Sequence, residues 1–133
     1  MNIFDNFKVA GNGIDIVEVD RIKKAIERGG DDFLKRVFTE NELKYSNGHK
    51  YAYERLAARF AAKEAVLKAF DEGKAKFLRL KEVEVFNDEN GKPYIELHGD
   101  TKRLKDKDNI DKILISISHT KRLAVANAIL IKK

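Results

Sequence analysis

The chain has 133 residues, of which 43% are hydrophobic and 37% charged, with a formal net charge of +5. That size and apolar content suit a single folded domain with its own core and exclude a disordered chain. Cysteine is absent, which rules out disulfides, thiolate metal ligands and a cysteine nucleophile, and fits a reducing compartment. No apolar run approaches the roughly 20 residues of a membrane helix, and residues 1–5 lack a secretory pattern. The expected location is therefore the cytoplasm, with no membrane partner. The mild basic excess points to an acidic partner: nucleic acid, a phosphorylated small molecule or an acidic protein.

Residues 1–10 read as a lead-in, and Gly11-Asn12-Gly13 as a turn or flexible entry. Ile14-Asp15-Ile16-Val17-Glu18-Val19 alternates apolar and acidic residues, the pattern of a strand with one covered face. By strand parity Asp15 and Glu18 point to opposite faces. Asp20 reads as the N-cap of a helix over residues 21–28, stopped by Gly29-Gly30. Ile22, Ala25 and Ile26 form its inner stripe, while Arg21, Lys24 and Arg28 share an outer, basic face. A second short helix is expected from Asp32 to Val37, and a third over residues 40–46. Thr39 stands three residues before Glu42, the spacing of a capping box.

Arg59-Phe60-Ala61-Ala62-Lys63-Glu64-Ala65-Val66-Leu67-Lys68-Ala69-Phe70 is the strongest helix former in the chain. It is close to apolar all round, which argues for burial. Glu64 and Lys68 are neighbours at i,i+4, and Ala61, Ala65 and Ala69 run beside them as a strip that admits a close approach. The plainest reading is a core helix with a Glu64–Lys68 ion pair at its rim. Asp71-Glu72-Gly73 ends it. Residues 83–86 and 94–98 flank a Gly-containing loop and read as a β-hairpin, with residues 101–109 a loop or short surface helix. Residues 112–118 and 123–131 are strands joined by a tight turn at His119-Thr120-Lys121-Arg122. Helices first and antiparallel strands after give an α+β domain, with an antiparallel sheet packed around the long central helix.

Three polar clusters stand out: Asp15, the Glu64/Lys68 pair, and Ser118-His119-Thr120. There is no phosphate-binding glycine loop, nucleophile elbow or dinucleotide fingerprint. Two carboxylates with a lysine nearby suit a hard cation and an anionic phosphate, as Mg²⁺ is commonly held by one or two carboxylates plus substrate phosphates.

Gly13-Ile14-Asp15-Ile16-Val17-Glu18-Val19-Asp20-Arg21-Ile22 and Arg59-Phe60-Ala61-Ala62-Lys63-Glu64-Ala65-Val66-Leu67-Lys68-Ala69 closely resemble the holo-[acyl-carrier-protein] synthases, the small single-domain 4′-phosphopantetheinyl transferases. Phe38-Thr39, Asn90-Gly91-Lys92-Pro93-Tyr94 and Ile115-Ser116-Ile117-Ser118-His119-Thr120 match further blocks in the same order, so the resemblance spans roughly residues 13–131. It implies transfer of 4′-phosphopantetheine from coenzyme A to a serine of apo-acyl carrier protein, leaving adenosine 3′,5′-bisphosphate. It implies Mg²⁺ held by Asp15 and Glu64. Lys68, one turn along from Glu64, is placed to meet the same phosphate, and either Glu64 through a metal-bound water or Lys68 with a depressed pKa would take the serine proton. Lys50, Arg59, Pro93, His119 and Thr120 would seat the nucleotide of coenzyme A. Arg21, Lys24 and Arg28 would meet the carrier, and a homotrimer would place the sites between subunits.

The chain departs from this pattern in three places, one of them a lead-in before Gly13 that is longer than usual. Asp71-Glu72-Gly73 stands where a Gly-Thr-Gly-type loop is usual, and two acids beside a phosphate are repulsive, so that loop is expected to point away or to bind the nucleotide less directly. Asp31-Asp32 stands where basic residues are common. A related reading keeps the chemistry and changes the acceptor to carrier domains of polyketide or peptide synthases. The rival from another class is a basic nucleic-acid-binding module. Against it, 22 acidic residues are interspersed among 27 basic ones, and no aromatic platform stands on a basic strand face.

Overall fold

The computed structural model describes residues 6–46 and 52–133. Strand β1 (Lys8–Glu18) leads into helices α1 (Val19–Val37), α2 (Glu40–Ser46) and the long α3 (Ala52–Ala69). A one-turn helix α4 (Glu72–Ala75) and a 3₁₀ turn (Leu80–Glu82) lead to the hairpin β2 (Val83–Asn87) and β3 (Pro93–Leu97). Helix α5 (Gly99–Lys107) precedes β4 (Ile110–His119) and β5 (Leu123–Lys132). β1, β5 and β4 form an antiparallel sheet with β5 central, and β2 pairs with β3 alone. Both sheets pack against α3, giving the α+β architecture read from the sequence.

β1 starts at Lys8, so residues 8–12 are strand rather than the lead-in and turn their glycines suggested. The reason is tertiary. A Cβ built on Gly11 would stand 1.9 Å from the Ala69 carbonyl oxygen, so the glycines mark a backbone lying flush on α3 rather than a bend. The surface they meet is Ala65 and Ala69 of the alanine strip, with Ala124, Ala126 and Ala128 of β5 buried in the same core.

α1 begins at Val19, one residue before the cap expected at Asp20. Glu18 precedes it without a side-chain cap, and the Val19 N–H donates instead to the Arg122 carbonyl at 2.8 Å. A bond from the β4–β5 turn thus satisfies the helix end, and Asp20 sits in the first turn, paired with Lys24 at 3.0 Å. Gly30 breaks the helical geometry (φ 54°, ψ −139°), so the two helices expected on either side of it meet at a kink. The capping box forms as the spacing predicts: Thr39 N–H donates to Glu42 Oε1 at 2.8 Å, and Glu42 N–H to Thr39 Oγ1 at 3.2 Å.

The charged residues that α3 buries are ones the sequence did not single out for burial. Lys63 is 0% exposed and Arg59 5%, whereas Glu64 is half-buried and Lys68 exposed. On the far side of the three-stranded sheet, Ile14, Ile16, Leu114 and Leu123 lie open, 41–64% exposed. Asn127, whose Nδ2 donates to Asn12 Oδ1 at 3.1 Å, crosses the middle of that face.

Candidate active site

The predicted residues fall into two groups on different sides of α3. The first is built by β1 against the C-terminal half of the helix. Strand parity turns Asp15 to the helix side, together with Gly13 and Val17. Lys68 reaches across to it: Nζ lies 2.8 Å from Asp15 Oδ1 and donates to the Ile14 carbonyl at 3.3 Å. The ion pair closed by Lys68 is therefore with Asp15, not the Glu64 pair expected from i,i+4 spacing. Glu64 stands beside both. Burial holds its carboxyl above the ordinary value, the Asp15 charge adds to that, and Lys68 partly opposes it. A half-buried carboxyl whose proton affinity is raised by a neighbouring carboxylate is a natural seat for a cation.

The second group lines a cleft of about 210 Å³ at the N-terminal half of α3. Arg59, Pro93 and His119 share it with Tyr45, Asn87 and Ile117. Arg59 Nη2 donates to Asn87 Oδ1 at 2.8 Å, and the guanidinium lies 4.2 Å from the centre of the Tyr45 ring. Its Nε is buried and has no hydrogen-bond partner among the described residues. Burial lowers the Arg59 pKa, while Glu42 and Tyr45 pull it back. Arg55 adds a second cation, donating to Tyr45 Oη at 3.2 Å. His119 Nδ1 lies 3.5 Å from Glu54 Oε1.

Thr120 does not join that cleft. Its Oγ1 accepts from the Arg122 and Leu123 N–H groups, closing the β4–β5 turn, and it borders a depression with Glu18 and Asp20. Lys50 lies outside the described residues. Arg21, Lys24 and Arg28 are all exposed on α1, with Lys24 engaged by Asp20. The Asp71-Glu72-Gly73 segment opens α4, where Asp71 Oδ1 accepts the Gly73 N–H at 2.9 Å, and Lys74 pairs with Asp108 at 3.0 Å. That ties the segment to the α5–β4 junction.

The sequence reading missed Tyr45, Arg55, Asn87 and Ile117, which come from four elements and carry no shared local pattern. Arg55, one turn before Arg59 on the same helix, was the member that spacing could have found. Among the described residues, no group of three or more His, Cys, Asp or Glu side chains is placed to hold a metal without help.

Comparison with known proteins points one way. A family model described as the 4′-phosphopantetheinyl transferase superfamily matches residues 11–126. A holo-[acyl-carrier-protein] synthase of Ruminiclostridium cellulolyticum is 48% identical over 119 residues, covering 89% of each chain. The crystal structure of a holo-(acyl-carrier-protein) synthase from Bacillus anthracis in complex with CoA (3′,5′-ADP) is 36% identical, with a TM-score of 0.76, over 94% of this chain and 98% of that one. A Helicobacter pylori holo-[acyl-carrier-protein] synthase in complex with coenzyme A is 28% identical, with a TM-score of 0.74, over 90% of this chain and 98% of that one.

Proposed function

The chain belongs to the 4′-phosphopantetheinyl transferase superfamily, and from that premise we propose that it moves the 4′-phosphopantetheine of coenzyme A onto a serine of apo-acyl carrier protein. The observation that carries the reading is Arg59. A guanidinium 5% exposed, with an unpartnered buried Nε at a cleft shared with Pro93 and His119, is built to receive an anion. The nucleotide end of coenzyme A supplies one.

In the reaction the serine oxygen attacks the phosphorus that bears pantetheine. The bond from that phosphorus to the bridging oxygen breaks, and adenosine 3′,5′-bisphosphate leaves with the bond's electrons. Such chemistry asks for positioning and charge neutralisation more than for covalent help. Asp15 and Glu64 are hard oxygen donors on facing elements, the set Mg²⁺ takes when substrate phosphates complete its shell. They fit that ion and would hold it. Bound there, Mg²⁺ supplies charge neutralisation at the diphosphate and the departing bisphosphate. Lys68, anchored to Asp15, presents an ammonium beside the same phosphate. The serine proton goes to the Glu64 carboxylate, because the Lys68 ammonium has no free electron pair to accept it.

A homotrimer with sites between subunits belongs to this proposal, and two features support it. The open Ile14/Ile16/Leu114 face is the kind of contiguous apolar surface that a second copy covers. Arg59 and Glu64 are five residues apart, about 140° round the helix, so the two groups face different ways and suit a substrate lying between chains. The carrier would dock on Arg21, Lys24 and Arg28 of α1, in the cytoplasm.

The test is mass spectrometry of apo-acyl carrier protein incubated with the protein, coenzyme A and Mg²⁺, with carrier domains of polyketide or peptide synthases run alongside. One phosphopantetheine added per carrier serine is expected. A folded protein that leaves every carrier in its apo form would overturn the reading.

A further inference from the structure

Lys63 takes no part in the chemistry above, although it adjoins Glu64. Its Nζ lies 2.6 Å from Glu42 Oε1 and donates to the carbonyl oxygens of Val83 at 2.7 Å and Leu80 at 3.1 Å. All three ammonium donors are thereby used. Glu42 is equally engaged: Oε2 accepts the Val85 N–H at 2.9 Å, and Oε1 also accepts the Thr39 N–H at 2.8 Å. Both side chains are 0% exposed. Removing two charges from water is costly, and an apolar pair of similar volume often holds a core as well or better. Stability alone gives no reason to keep the pair. Direction does.

Apolar burial is non-directional, and α3 is buried nearly all round: Ala57, Ala58, Ala61, Ala62, Ala65 and Val66 are all buried. Apart from the Ala65 and Ala69 backbone that Gly11 and Gly13 lie against, a helix of small residues with no apolar stripe has little to set its rotation about its own axis. Three acceptors from α2, the 3₁₀ turn and β2, converging on one ammonium, do set it. On that axis Arg59 lies one turn before Lys63 and about 40° round, whereas Glu64 and Lys68 lie about 100° and 140° the other way. One pin therefore aims Arg59 at Asn87 and the cleft, and Glu64 and Lys68 at Asp15.

We propose that the buried Lys63–Glu42 pair is a positioning device that fixes the rotation of α3 and so holds both halves of the site at once. The inference rests on the reading of Arg59 as the nucleotide contact and of Asp15 and Glu64 as the metal seat. The two halves have separate readouts. The coenzyme A dissociation constant, measured by calorimetry in EDTA, reports the Arg59 half. The Mg²⁺ concentration for half-maximal transfer reports the Asp15/Glu64 half.

The test variants are K63M/E42Q, which removes both charges at similar volume, and E42D, which keeps them and draws the carboxylate back. K63M/E42Q turns an amide NH₂ towards either the Thr39 or the Val85 N–H, so it should melt cooperatively but below the wild-type temperature. Its coenzyme A dissociation constant and half-maximal Mg²⁺ should each rise at least tenfold. E42D should move both in the same direction by less, and it carries the test if the double variant does not fold. A folded variant with wild-type values in both, or one in which a single half moves, overturns the proposal. Wild-type protein that neither binds coenzyme A nor needs Mg²⁺ would instead sink the functional reading, and this inference with it.

Discussion

Gly13 touches the backbone of α3 at Ala65: a Cβ built on the glycine would stand 2.1 Å from the Ala65 carbonyl oxygen and 2.7 Å from the Ala69 nitrogen. Neither neighbour is a flexible side chain that can swing away, so any added methyl must push strand and helix apart. Asp15 is two residues along the same strand, on the same face. Gly13→Ala should therefore cost about 3 kcal/mol and lower Tm by on the order of 10 °C. It should also separate Asp15 from Lys68 and depress transfer in whatever protein stays folded. A variant with wild-type Tm would show that the contact between β1 and α3 yields more easily than this.

Asp15→Ala and Glu64→Ala should each reduce kcat roughly a hundredfold or more, the scale of losing several kcal/mol of charge stabilisation. Circular dichroism should still report a folded chain, since neither residue is part of the Lys63–Glu42 network. EDTA should stop the wild-type reaction, and Mg²⁺ or Mn²⁺ should restore it. Wild-type turnover by Asp15→Ala would remove that residue from the site.

Glu64 also makes a prediction about pH. Burial, then Asp15, hold its carboxyl above the ordinary value of 4.5, with Lys68 opposing. The folded, ligand-free chain thus binds this proton more tightly than the unfolded chain does. The associated stability is fully present below the unfolded pKa and is lost as pH rises through the raised folded pKa. Glu64→Gln abolishes that loss. Without ligand the variant should melt above the wild type at about pH 8, and the gap should close near pH 4. If the variant melts lower at both, the carboxylate is stabilised in the folded state and the assigned direction is wrong.

Glu84 behaves in the opposite sense. Burial pushes its carboxyl up, but hydrogen bonds from Thr39, His98 and Asn41, with the His98 charge, outweigh that and hold it below the ordinary value. This contribution is present above the unfolded pKa and is lost as pH falls through the depressed folded value. Glu84→Gln should flatten the acid side of the stability curve. An unchanged acid limb in urea melts would count against the cluster as a contributor.

The α1 face gives a kinetic prediction. Acyl carrier proteins are acidic, and rim charges act mainly on association rate and salt dependence. Arg21→Glu and Arg28→Glu should raise KM for the carrier several-fold and leave KM for coenzyme A nearly unchanged. Salt near 0.5 M, where the Debye length is about 4–5 Å, should weaken carrier use by the wild type more than by the variants. Lys24 is a poorer target because Asp20 already engages it. Equal carrier kinetics in wild type and Arg21→Glu would move the docking surface elsewhere.

The elements that the sequence made legible are those whose signal is local. The Thr39–Glu42 capping box, the alternation through Ile14–Val19, the hairpin and the helix-forming run at Arg59–Phe70 each carry their own period or spacing, and each marks an element of the right type, although β1 stops at Glu18 and Val19 already opens α1. The strip Ala61, Ala65 and Ala69 even announced a close neighbour without naming it. Tertiary structure decided the rest. A helix that is apolar almost all round carries no phase in its sequence, so nothing local told that Lys63 would be buried and Lys68 exposed. The phase came from acceptors 17–21 residues away in the chain, Glu42, Leu80 and Val83. Likewise Gly11 and Gly13 read as a turn until Ala65 and Ala69 supplied the backbone that only a glycine strand can approach. The partner of Lys68 is Asp15, 53 residues away, rather than Glu64 one turn back, because the packing of β1 against α3 brings that carboxylate within 2.8 Å.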